Sequence, residues 1–464
     1  MQKYRVEHDL LGELDVPVAA YWGIHTQRAL GNFALSPRKV NAGLIHALAL
    51  VKKACCLANV ETLWMKPDKA LAISDACDEV ASGRWDSEFP LDAMQGGAGT
   101  STNMNVNEVI ANRAIEILNG EKGDYSIVNP IDDINLHQST NDVYPTAVKV
   151  AAIYALRRLS RDIAALQGEF QKKEKEFGEI VKMGRTEMQE AVPLTLGMEF
   201  SAFSEALGRD RWRTFKCEER LRVVNLGGTA IGTGISAPKD YIFLVIEKLR
   251  DVTGLGLSRG ENLAGETANA DAFVEVSGIM KAHASNLIKI AGDLRLMNML
   301  GEIRLPSMQA GSSAMPGKIN PVIAEAVIQA GIRVVANDLI VTEAANRSTF
   351  QIIEFMPMLA DALLESMDIL SNVDIMLAGH VSGISADAEK CAGIAHASPM
   401  IITALVPYIG YEKATEIING YKAADGKDFR TYLKDLLGEE LVDRALDPYS
   451  LTALGFKGKG PYKK

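Results

Sequence analysis

The chain has 464 residues, of which 47% are hydrophobic and 23% are charged, and its formal net charge is -10. This length allows a large core or two to three domains, and the acidic balance without a Lys/Arg cluster argues against a protein that binds nucleic acid or an anionic membrane. No apolar run approaches the roughly 20 residues that span a bilayer. We therefore expect neither a nucleic acid nor a membrane as partner.

The cysteines and histidines predict a reduced protein without a structural metal site. The five cysteines are odd in number and form no Cys-x-x-Cys pair, which is typical of free thiols in the cytoplasm. The seven histidines lack metal-ligand spacing, and the N-terminal residues lack the apolar core of a secretory signal. We expect a cytoplasmic protein with no cofactor, and we leave activation by a divalent metal open.

Residues 1–138 contain short helices and loops, and one Gly-rich loop among them carries polar side chains. It reads Gln-Gly-Gly-Ala-Gly-Thr-Ser-Thr-Asn-Met-Asn at 95–105 and enters a predicted helix. Backbone N–H groups at a helix start favour an anion, and Thr100 and Ser101 add hydroxyls. A phosphate loop is disfavoured because no Gly-Lys-Ser/Thr follows. An ordinary turn with a helix cap explains the same pattern, so both interpretations stay open.

A run of good capping residues, Ser139, Thr140, Asn141 and Asp142, opens the next helix. One of them is enough to cap a helix, so the excess suggests a binding role. From position 148 to position 170, apolar residues recur in steps of four or three. This spacing places one apolar stripe along a single long helix, and such a helix needs a partner stripe, as in a bundle.

Further long helices are predicted downstream, separated by joints rich in Gly and Pro. The helices cover 190–224, 268–300, 321–345 and 355–378, and the joints cover 181–193, 226–238 and 305–321. We interpret the glycines at 226–234 as backbone-shaping residues that permit tight packing, because no strand precedes them to form a dinucleotide site. Short helices broken by Pro and Gly indicate a small helical domain at 396–464. The pattern predicts an all-α fold.

The joint at 311–321 reads Gly-Ser-Ser-Ala-Met-Pro-Gly-Lys-Ile-Asn-Pro and combines two hydroxyls, one ammonium and one amide. Its Gly and Pro residues exclude a regular helix. Lys318 would attract a carboxylate and Asn320 would hydrogen-bond it, which leaves Ser312 or Ser313 to face the substrate carbon. By residue types alone, a polar surface loop explains the pattern equally well.

This loop resembles the signature GSSxMPxKxNP of the fumarase/aspartase superfamily. The stretches at 95–105, 138–146 and 184–193 resemble further blocks of that superfamily, so the resemblance covers nearly the whole chain. It implies an all-α chain with domains at 1–138, 139–395 and 396–464, the second being a bundle of long antiparallel helices. It also implies a homotetramer with a twenty-helix core, in which three chains share each active site.

The resemblance also implies roles for individual residues. Ser312 would be the base that takes a proton from carbon, and the resulting charge would spread into the adjacent carboxylate as an aci-acid, which hydroxyl and N–H donors must stabilise. The residues implied to bind the substrate are Thr100, Ser101, Ser139, Thr140, Asn141, Thr186, Glu187, Ser313, Met315, Lys318 and Asn320.

Glu187 departs from the superfamily pattern, which places His at this position in fumarases and Gln or His in aspartases. An ionised Glu187 would repel a dicarboxylate. Close to Glu325 it would share a proton and donate a hydrogen bond as Gln does. It would otherwise recognise an ammonium group, or point into a surface salt bridge. The residues leave these alternatives open.

The resemblance to aspartases is closer than the resemblance to fumarases. The stretches Gly-Ala-Gly-Thr-Ser at 97–101, Ser-Thr-Asn-Asp-Val-Tyr-Pro-Thr at 139–146 and Ala-Val-Pro at 191–193 all match aspartases better. The expected activity is therefore reversible elimination of ammonia from L-aspartate to give fumarate. Hydration of fumarate, or elimination from an N-substituted or modified aspartate, is the alternative. A protein that had lost catalysis would be expected to lose Ser312, Lys318 or Asn320, and all three are present.

Overall fold

The computed structural model describes residues 3–422 and 428–455, with only the backbone of Lys422. Over these ranges the chain forms seventeen α-helices and four two-stranded sheets. The predicted all-α class is confirmed.

The helices carry most of the chain, and the strands are short. The helices are α1 (Ile24–Asn32), α2 (Ala42–Glu61), α3 (Pro67–Ala81), α4 (Thr100–Ile117), α5 (Thr140–Glu176), α6 (Leu196–Leu221), α7 (Lys239–Thr253), α8 (Leu263–Ala268), α9 (Asp271–Leu300), α10 (Val322–Asn346), α11 (Met356–Ser382), α12 (Ala388–Ala397), α13 (Val406–Ile409), α14 (Tyr411–Lys422), α15 (Phe429–Leu437), α16 (Glu439–Ala445) and α17 (Pro448–Thr452). The strands are β1 (Tyr4–Asp9), β2 (Gly12–Pro17), β3 (Val181–Thr186), β4 (Gln189–Thr195), β5 (Val223–Val224), β6 (Ser258–Arg259), β7 (Ile303–Arg304) and β8 (Ser385–Ala386). Consecutive strands pair, antiparallel except for the parallel pair β5–β6.

Helix α5 confirms the predicted apolar stripe. It is 37 residues long, and the stripe residues between positions 148 and 170 are at most 1% exposed. Pro145 lies inside this helix and lacks the N–H that would bond the carbonyl of Asn141. The side chain of Asn225 donates to that carbonyl at 2.9 Å, so the helix passes the proline with its backbone acceptor satisfied.

The other predicted long helices are present with shifted ends. Helices α9, α10 and α11 begin and end within about four residues of the predicted positions, a normal uncertainty for helix ends. The helix predicted at 190–224 begins only at Leu196, because residues 189–195 pair with 181–186 as a hairpin. The prediction missed this hairpin because its turn is Glu187–Met188 and lacks the usual Asn-Gly signal.

The chain divides into two compact units. The first comprises the chain up to Arg161, Asp210–Ser285 and Ala330–Asn372. In it, α2 packs against α3 and α7, and α3 packs against α4. The second comprises Asp162–Arg209, Asn286–Gln329 and the chain from Val373 onward. In it, the β3–β4 hairpin and helices α12 to α17 surround an apolar core. The predicted domain limits at 138 and 395 stay a prediction.

Helix α2 is long and apolar enough, by length and composition alone, to cross a membrane. The apolar runs of the sequence did not indicate it, because Lys52 and Lys53 interrupt them. In the structure, 67% of the most apolar 18-residue window of this helix is buried inside the chain. Burial of this kind is typical of the core helix of a globular protein. The segments Ala388–Ala397 and Pro399–Ile409, which are joined by a bend, are long and apolar enough to cross a membrane only if the two are counted as one span.

All five cysteines are buried free thiols.

Candidate active site

The Gly-rich loop leads directly into α4, whose first residue is Thr100. Gly99 caps the helix with a φ of 94°, and a Cβ there would lie 2.6 Å from the ring of Tyr144. Only glycine fits this close approach of the loop to α5. The side chain of Thr100 is exposed and that of Ser101 is half-buried. Both residues lie at the N-terminus of α4, where the helix dipole favours an anion.

The polar block at the start of α5 lies against α4 in the first unit. Thr140 is 9% exposed, and its hydroxyl oxygen accepts a hydrogen bond from the Asn103 side-chain amide at 3.3 Å. The Ser139 hydroxyl oxygen accepts the N–H of Asn141 at 3.2 Å, and the Asn141 amide donates to the carbonyl of Ala230 at 2.7 Å. The structure thus brings the first two predicted blocks together.

A buried polar network lies behind these two blocks, and sequence reasoning missed it. The Nζ of Lys52, which is 1% exposed, donates to Asn135 Oδ1 at 2.9 Å and to Gln138 Oε1 at 2.8 Å. The same Asn135 oxygen accepts from Asn103 at 3.1 Å and from Asn107 at 3.2 Å. Burial lowers the pKa of Lys52 to about 8. The available signal was a lysine placed within the apolar stretch of α2.

Asp142 holds the start of α5 against the glycine-rich joint. Its carboxylate accepts backbone N–H groups from Ser139 at 2.9 Å and from Gly227 and Thr229 at 3.0 Å each. Burial raises the pKa of Asp142 to about 6, although these three donors act in the opposite direction. In the same joint, a Cβ on Gly232 would lie 2.3 Å from the backbone of α8. The prediction that these glycines permit tight packing is confirmed.

The signature loop at 311–321 lies in the second unit and is closed by its own hydrogen bonds. The Gly311 N–H donates to the Lys318 carbonyl at 2.8 Å, and the Asn320 amide donates to the Gly311 carbonyl at 2.7 Å. The Lys318 ammonium is exposed and makes no hydrogen bond or ion pair within the described part of the chain. Ser313 and Met315 are exposed as well. The closed loop therefore presents these three side chains outward.

Ser312 is half-buried in this loop, and its hydroxyl oxygen accepts two backbone hydrogen bonds. They come from the N–H of Ala314 at 3.1 Å and the N–H of Met315 at 2.8 Å. Donors directed at one oxygen stabilise negative charge on it. The exposed hydroxyl of Ser313 receives no such bond from the residues that the structure describes. The geometry thus distinguishes the two serines, which their residue type does not.

Thr186 and Glu187 lie at the tip of the β3–β4 hairpin, also in the second unit, and both are exposed. Glu187 and Met188 have φ values of 53° and 61°, a left-handed conformation that costs about 1–2 kcal/mol per non-glycine residue. Across residues 3–422 and 428–455, the Glu187 carboxylate makes no ion pair. A carboxylate oxygen of Glu325 instead lies 3.7 Å from a guanidinium nitrogen of Arg295. Within this part of the chain, the surface salt bridge of Glu187 is not formed.

Among residues 3–422 and 428–455, no group of three or more His, Cys, Asp and Glu side chains is placed to hold a metal ion. The expectation that the protein needs no metal or cofactor stays a prediction.

Comparison with known proteins identifies the family. A family model described as lyase matches residues 12–336. The chain belongs to this lyase family. Aspartate ammonia-lyase of Bacillus subtilis is 41% identical over 99% of this chain and 98% of its own length. The enzyme of the same name from Escherichia coli K12 is 41% identical over 98% and 97%, and that of Pseudomonas aeruginosa is 45% identical over 89% of both chains.

Solved structures agree with this assignment. A fumarate lyase:delta crystallin from Brucella melitensis, bound to cobalt, has a TM-score of 0.92 and 44% identity and covers 96% of this chain and 99% of its own. A class II fumarase from Schistosoma mansoni has a TM-score of 0.91 and 29% identity, with 96% and 98% covered. The predicted membership of the fumarase/aspartase superfamily is confirmed, and the aspartate ammonia-lyases named above are 41–45% identical to this chain whereas the class II fumarase is 29% identical.

Proposed function

We propose that this protein is a carbon–nitrogen lyase that reversibly eliminates ammonia from L-aspartate to give fumarate. The observation that carries the proposal is the Ser312 hydroxyl oxygen, which accepts the N–H groups of Ala314 and Met315 inside the signature loop. This arrangement stabilises the alkoxide that a serine needs to act as a base. The identity of 40–45% to aspartate ammonia-lyases over most of the chain supports the choice of substrate.

The proton that must be removed, on C3 of aspartate, is very weakly acidic, and this determines the course of the reaction. Ionised Ser312 takes a proton from C3 of aspartate, and the electron pair moves into the neighbouring carboxylate to form an aci-carboxylate. That pair then returns to form the C=C bond of fumarate while the C–N bond breaks and ammonia leaves with its electrons. The proton on Ser312 finally passes to the released ammonia, which leaves as ammonium, and this transfer restores the base. Donors placed around the charged carboxylate stabilise the intermediate.

The other residues to which the resemblance assigns a role would bind the substrate. They are Thr100, Ser101, Ser139, Thr140, Asn141, Thr186, Glu187, Ser313, Met315, Lys318 and Asn320. Lys318 carries the argument for a dicarboxylate, because its exposed ammonium supplies local positive charge in a chain with a net charge of -10. We assign it to the carboxylate remote from the reacting carbon.

Glu187 favours a substrate that carries an amino group. Its exposed carboxylate would attract an ammonium group and would repel a dicarboxylate that lacks one. The same observation keeps a second candidate activity, elimination from an N-substituted aspartate. Hydration of fumarate receives less support, because neither fumarate nor malate offers a cation to this carboxylate.

We propose that four copies assemble and that three chains complete each site. Helices α6, α10 and α11 expose large apolar side chains to more than half of their area, namely Trp212, Phe215, Ile332, Leu339 and Ile375. Burial of these side chains between chains would remove apolar surface from water, which favours association. Light scattering on the purified protein is expected to give four times the mass of the chain. A monomer with full activity would overturn the shared-site proposal.

The proposed reaction is tested by offering the purified protein L-aspartate, L-malate and an N-substituted aspartate separately, and following fumarate by its ultraviolet absorbance. We expect fumarate from L-aspartate. Fumarate from L-malate alone would identify a hydratase. Fumarate from the N-substituted compound alone would show that the leaving group is a substituted amine and not ammonia. Dialysis against a chelator before the assay tests the expectation that no metal is needed. The cytoplasmic location also stays a prediction.

A further inference from the structure

Glu302 is a fully buried carboxylate that the proposed chemistry does not use. It is 0% exposed and lies between α9 and β7 in the second unit. Its Oε1 accepts a hydrogen bond from the Arg185 guanidinium at 2.6 Å, and the Lys182 ammonium lies 2.9 Å from its Oε2. The Lys182 contact is an ion pair without hydrogen-bond alignment, since Oε2 has no hydrogen-bond partner in the described residues.

The charges around Glu302 are balanced. Lys182 is 3% exposed and also contacts the carboxylate of Glu199, so two cations face two carboxylates. The Arg185 guanidinium makes a second hydrogen bond, to the carbonyl of Met183 at 3.3 Å. Removal of one partner from a buried ion cluster leaves an uncompensated charge, which is strongly unfavourable. The cluster therefore holds the Arg185 side chain in one arrangement.

Glu302 links the two segments of the second unit that carry proposed site residues. Arg185 immediately precedes Thr186 on β3, while Glu302 immediately precedes β7, after which the chain enters the signature loop. The backbone of Glu302 is fixed independently of the hairpin, because its carbonyl accepts the Asp387 N–H at 2.9 Å and β7 pairs with β8. Glu302 is thus a fixed point to which the hairpin is attached.

The hairpin itself is shaped to make this contact. The register of β3 and β4 shifts between Met183 and Arg185, and such a bulge re-aims a side chain. Beyond Arg185, the turn residues Glu187 and Met188 both adopt the left-handed conformation. A turn in a sparsely populated conformation persists only where its surroundings determine it. The Arg185–Glu302 pair supplies such a restraint at the base of the turn.

We propose that Glu302 is a positioning residue, which fixes Arg185 and thereby places Thr186 and Glu187 at the hairpin tip for substrate binding. This inference rests on the proposed function of the hairpin tip. Loss of the restraint would displace Thr186 without removing any group that touches the substrate. A displacement of this kind weakens binding and impairs orientation.

The test compares two variants with a matched control. Glu302→Gln keeps the size of the side chain, removes its charge and turns an amide donor toward the cations. Arg185→Lys keeps the charge and loses the fork geometry. The control is Glu218→Gln, because Glu218 is also buried, at 5% exposure, and is held by Arg157 and Arg222 at 2.8 and 2.9 Å. None of these control residues belongs to a proposed substrate-binding block.

The KM for L-aspartate distinguishes positioning from general stability. Partial unfolding lowers the amount of active enzyme and therefore the apparent kcat, whereas a displaced Thr186 raises KM. We expect the KM to rise at least about tenfold in Glu302→Gln and in Arg185→Lys, and to stay unchanged in Glu218→Gln. An unchanged KM in both variants, or an equal rise in the control, would overturn the proposal.

Amide hydrogen exchange adds a measurement that needs no substrate. The amides of residues 181–195 are expected to exchange at least about tenfold faster in Glu302→Gln and Arg185→Lys than in the wild type, and at the wild-type rate in Glu218→Gln. Unchanged exchange would reject the restraint even if the wild type turned over another substrate. A wild type without activity on L-aspartate, combined with faster exchange, would reject the proposed substrate and retain the restraint. If Glu302→Gln does not fold, Arg185→Lys decides.

Discussion

The side-chain amide of Asn320 donates a hydrogen bond to the carbonyl oxygen of Gly311 at 2.7 Å, across the base of the signature loop. The loop between them carries Ser312 and Lys318, the residues proposed as base and carboxylate ligand. This bond therefore fixes the frame in which those two groups are held. Its removal is expected to impair catalysis even where both groups remain.

Asn320→Asp tests that frame. The variant has nearly the same shape, but a carboxylate oxygen would face the Gly311 carbonyl and repel it, so that the loop opens at its base. We expect kcat/KM for L-aspartate to fall about a hundredfold. Asn346→Asp, at the exposed end of α10, is the control and should retain full activity. Equal activity of the two variants would show that the bond is not needed.

Lys318→Met tests the carboxylate ligand. The change removes the charge and keeps most of the apolar stem, and a hydrogen bond to a charged group contributes about 1.5–3 kcal/mol. We expect the KM for L-aspartate to rise by about 10- to 100-fold, measured by initial rates of fumarate formation. Lys413→Met changes an exposed lysine of α14 and should leave KM unaltered. An unchanged KM in Lys318→Met would remove Lys318 from the binding site.

Glu187→Gln tests recognition of the substrate ammonium. If the ionised carboxylate binds this group, kcat/KM for L-aspartate should fall about tenfold, while inhibition by succinate, which has no ammonium, should strengthen or stay the same. Glu190→Gln alters another exposed glutamate of the same hairpin and serves as the control. Full activity of Glu187→Gln would instead support a protonated Glu187 that donates a hydrogen bond, or a side chain outside the site.

Asp142→Asn tests the pH dependence of stability. Burial raises the pKa of Asp142 in the folded protein from its ordinary value of 3.8 to about 6, so the folded state binds the proton more tightly than the unfolded state. The resulting stabilisation, about 3 kcal/mol, is complete below about pH 4 and is lost as the pH rises through about 6.

The comparison is made by urea denaturation at a fixed protein concentration. From about pH 4 to about pH 7, the free energy of unfolding of the wild type relative to Asp142→Asn should decrease by about 3 kcal/mol. The difference isolates Asp142, because the other carboxylates are common to both proteins. A difference that does not change with pH would show that Asp142 titrates near its ordinary value.

The long helices were predictable because their apolar spacing is a local property of the chain. The stripe that begins at Val148 is one example, and its residues are buried in α5. The β3–β4 hairpin was not predictable in the same way, because a Glu-Met turn carries none of the usual hairpin signals, although both of its residues adopt the left-handed conformation. Tertiary contacts decide the conformation of such a segment.

The residues of the candidate site differ in the same way, since some belong to a local motif and others depend on tertiary contacts. Ser312, Lys318 and Asn320 belong to one continuous motif, so the sequence alone was enough to predict a role for them. Lys52 and Glu302 carry buried charges, and their partners come from distant positions of the chain. A charged residue in a sequence gives no indication of whether such partners exist, and for that reason the supporting residues emerge only from the structure.

Ser312 is proposed as the base in the deamination of L-aspartate. The most direct test is the initial rate of fumarate formation from L-aspartate by the wild type, Ser312→Ala and Ser313→Ala, each checked for folding and assembly. We predict fumarate from the wild type, a rate at least about a thousandfold lower in Ser312→Ala, and a smaller loss in Ser313→Ala. A Ser312→Ala variant with substantial turnover, or a wild type that forms no fumarate from L-aspartate, would contradict the claim.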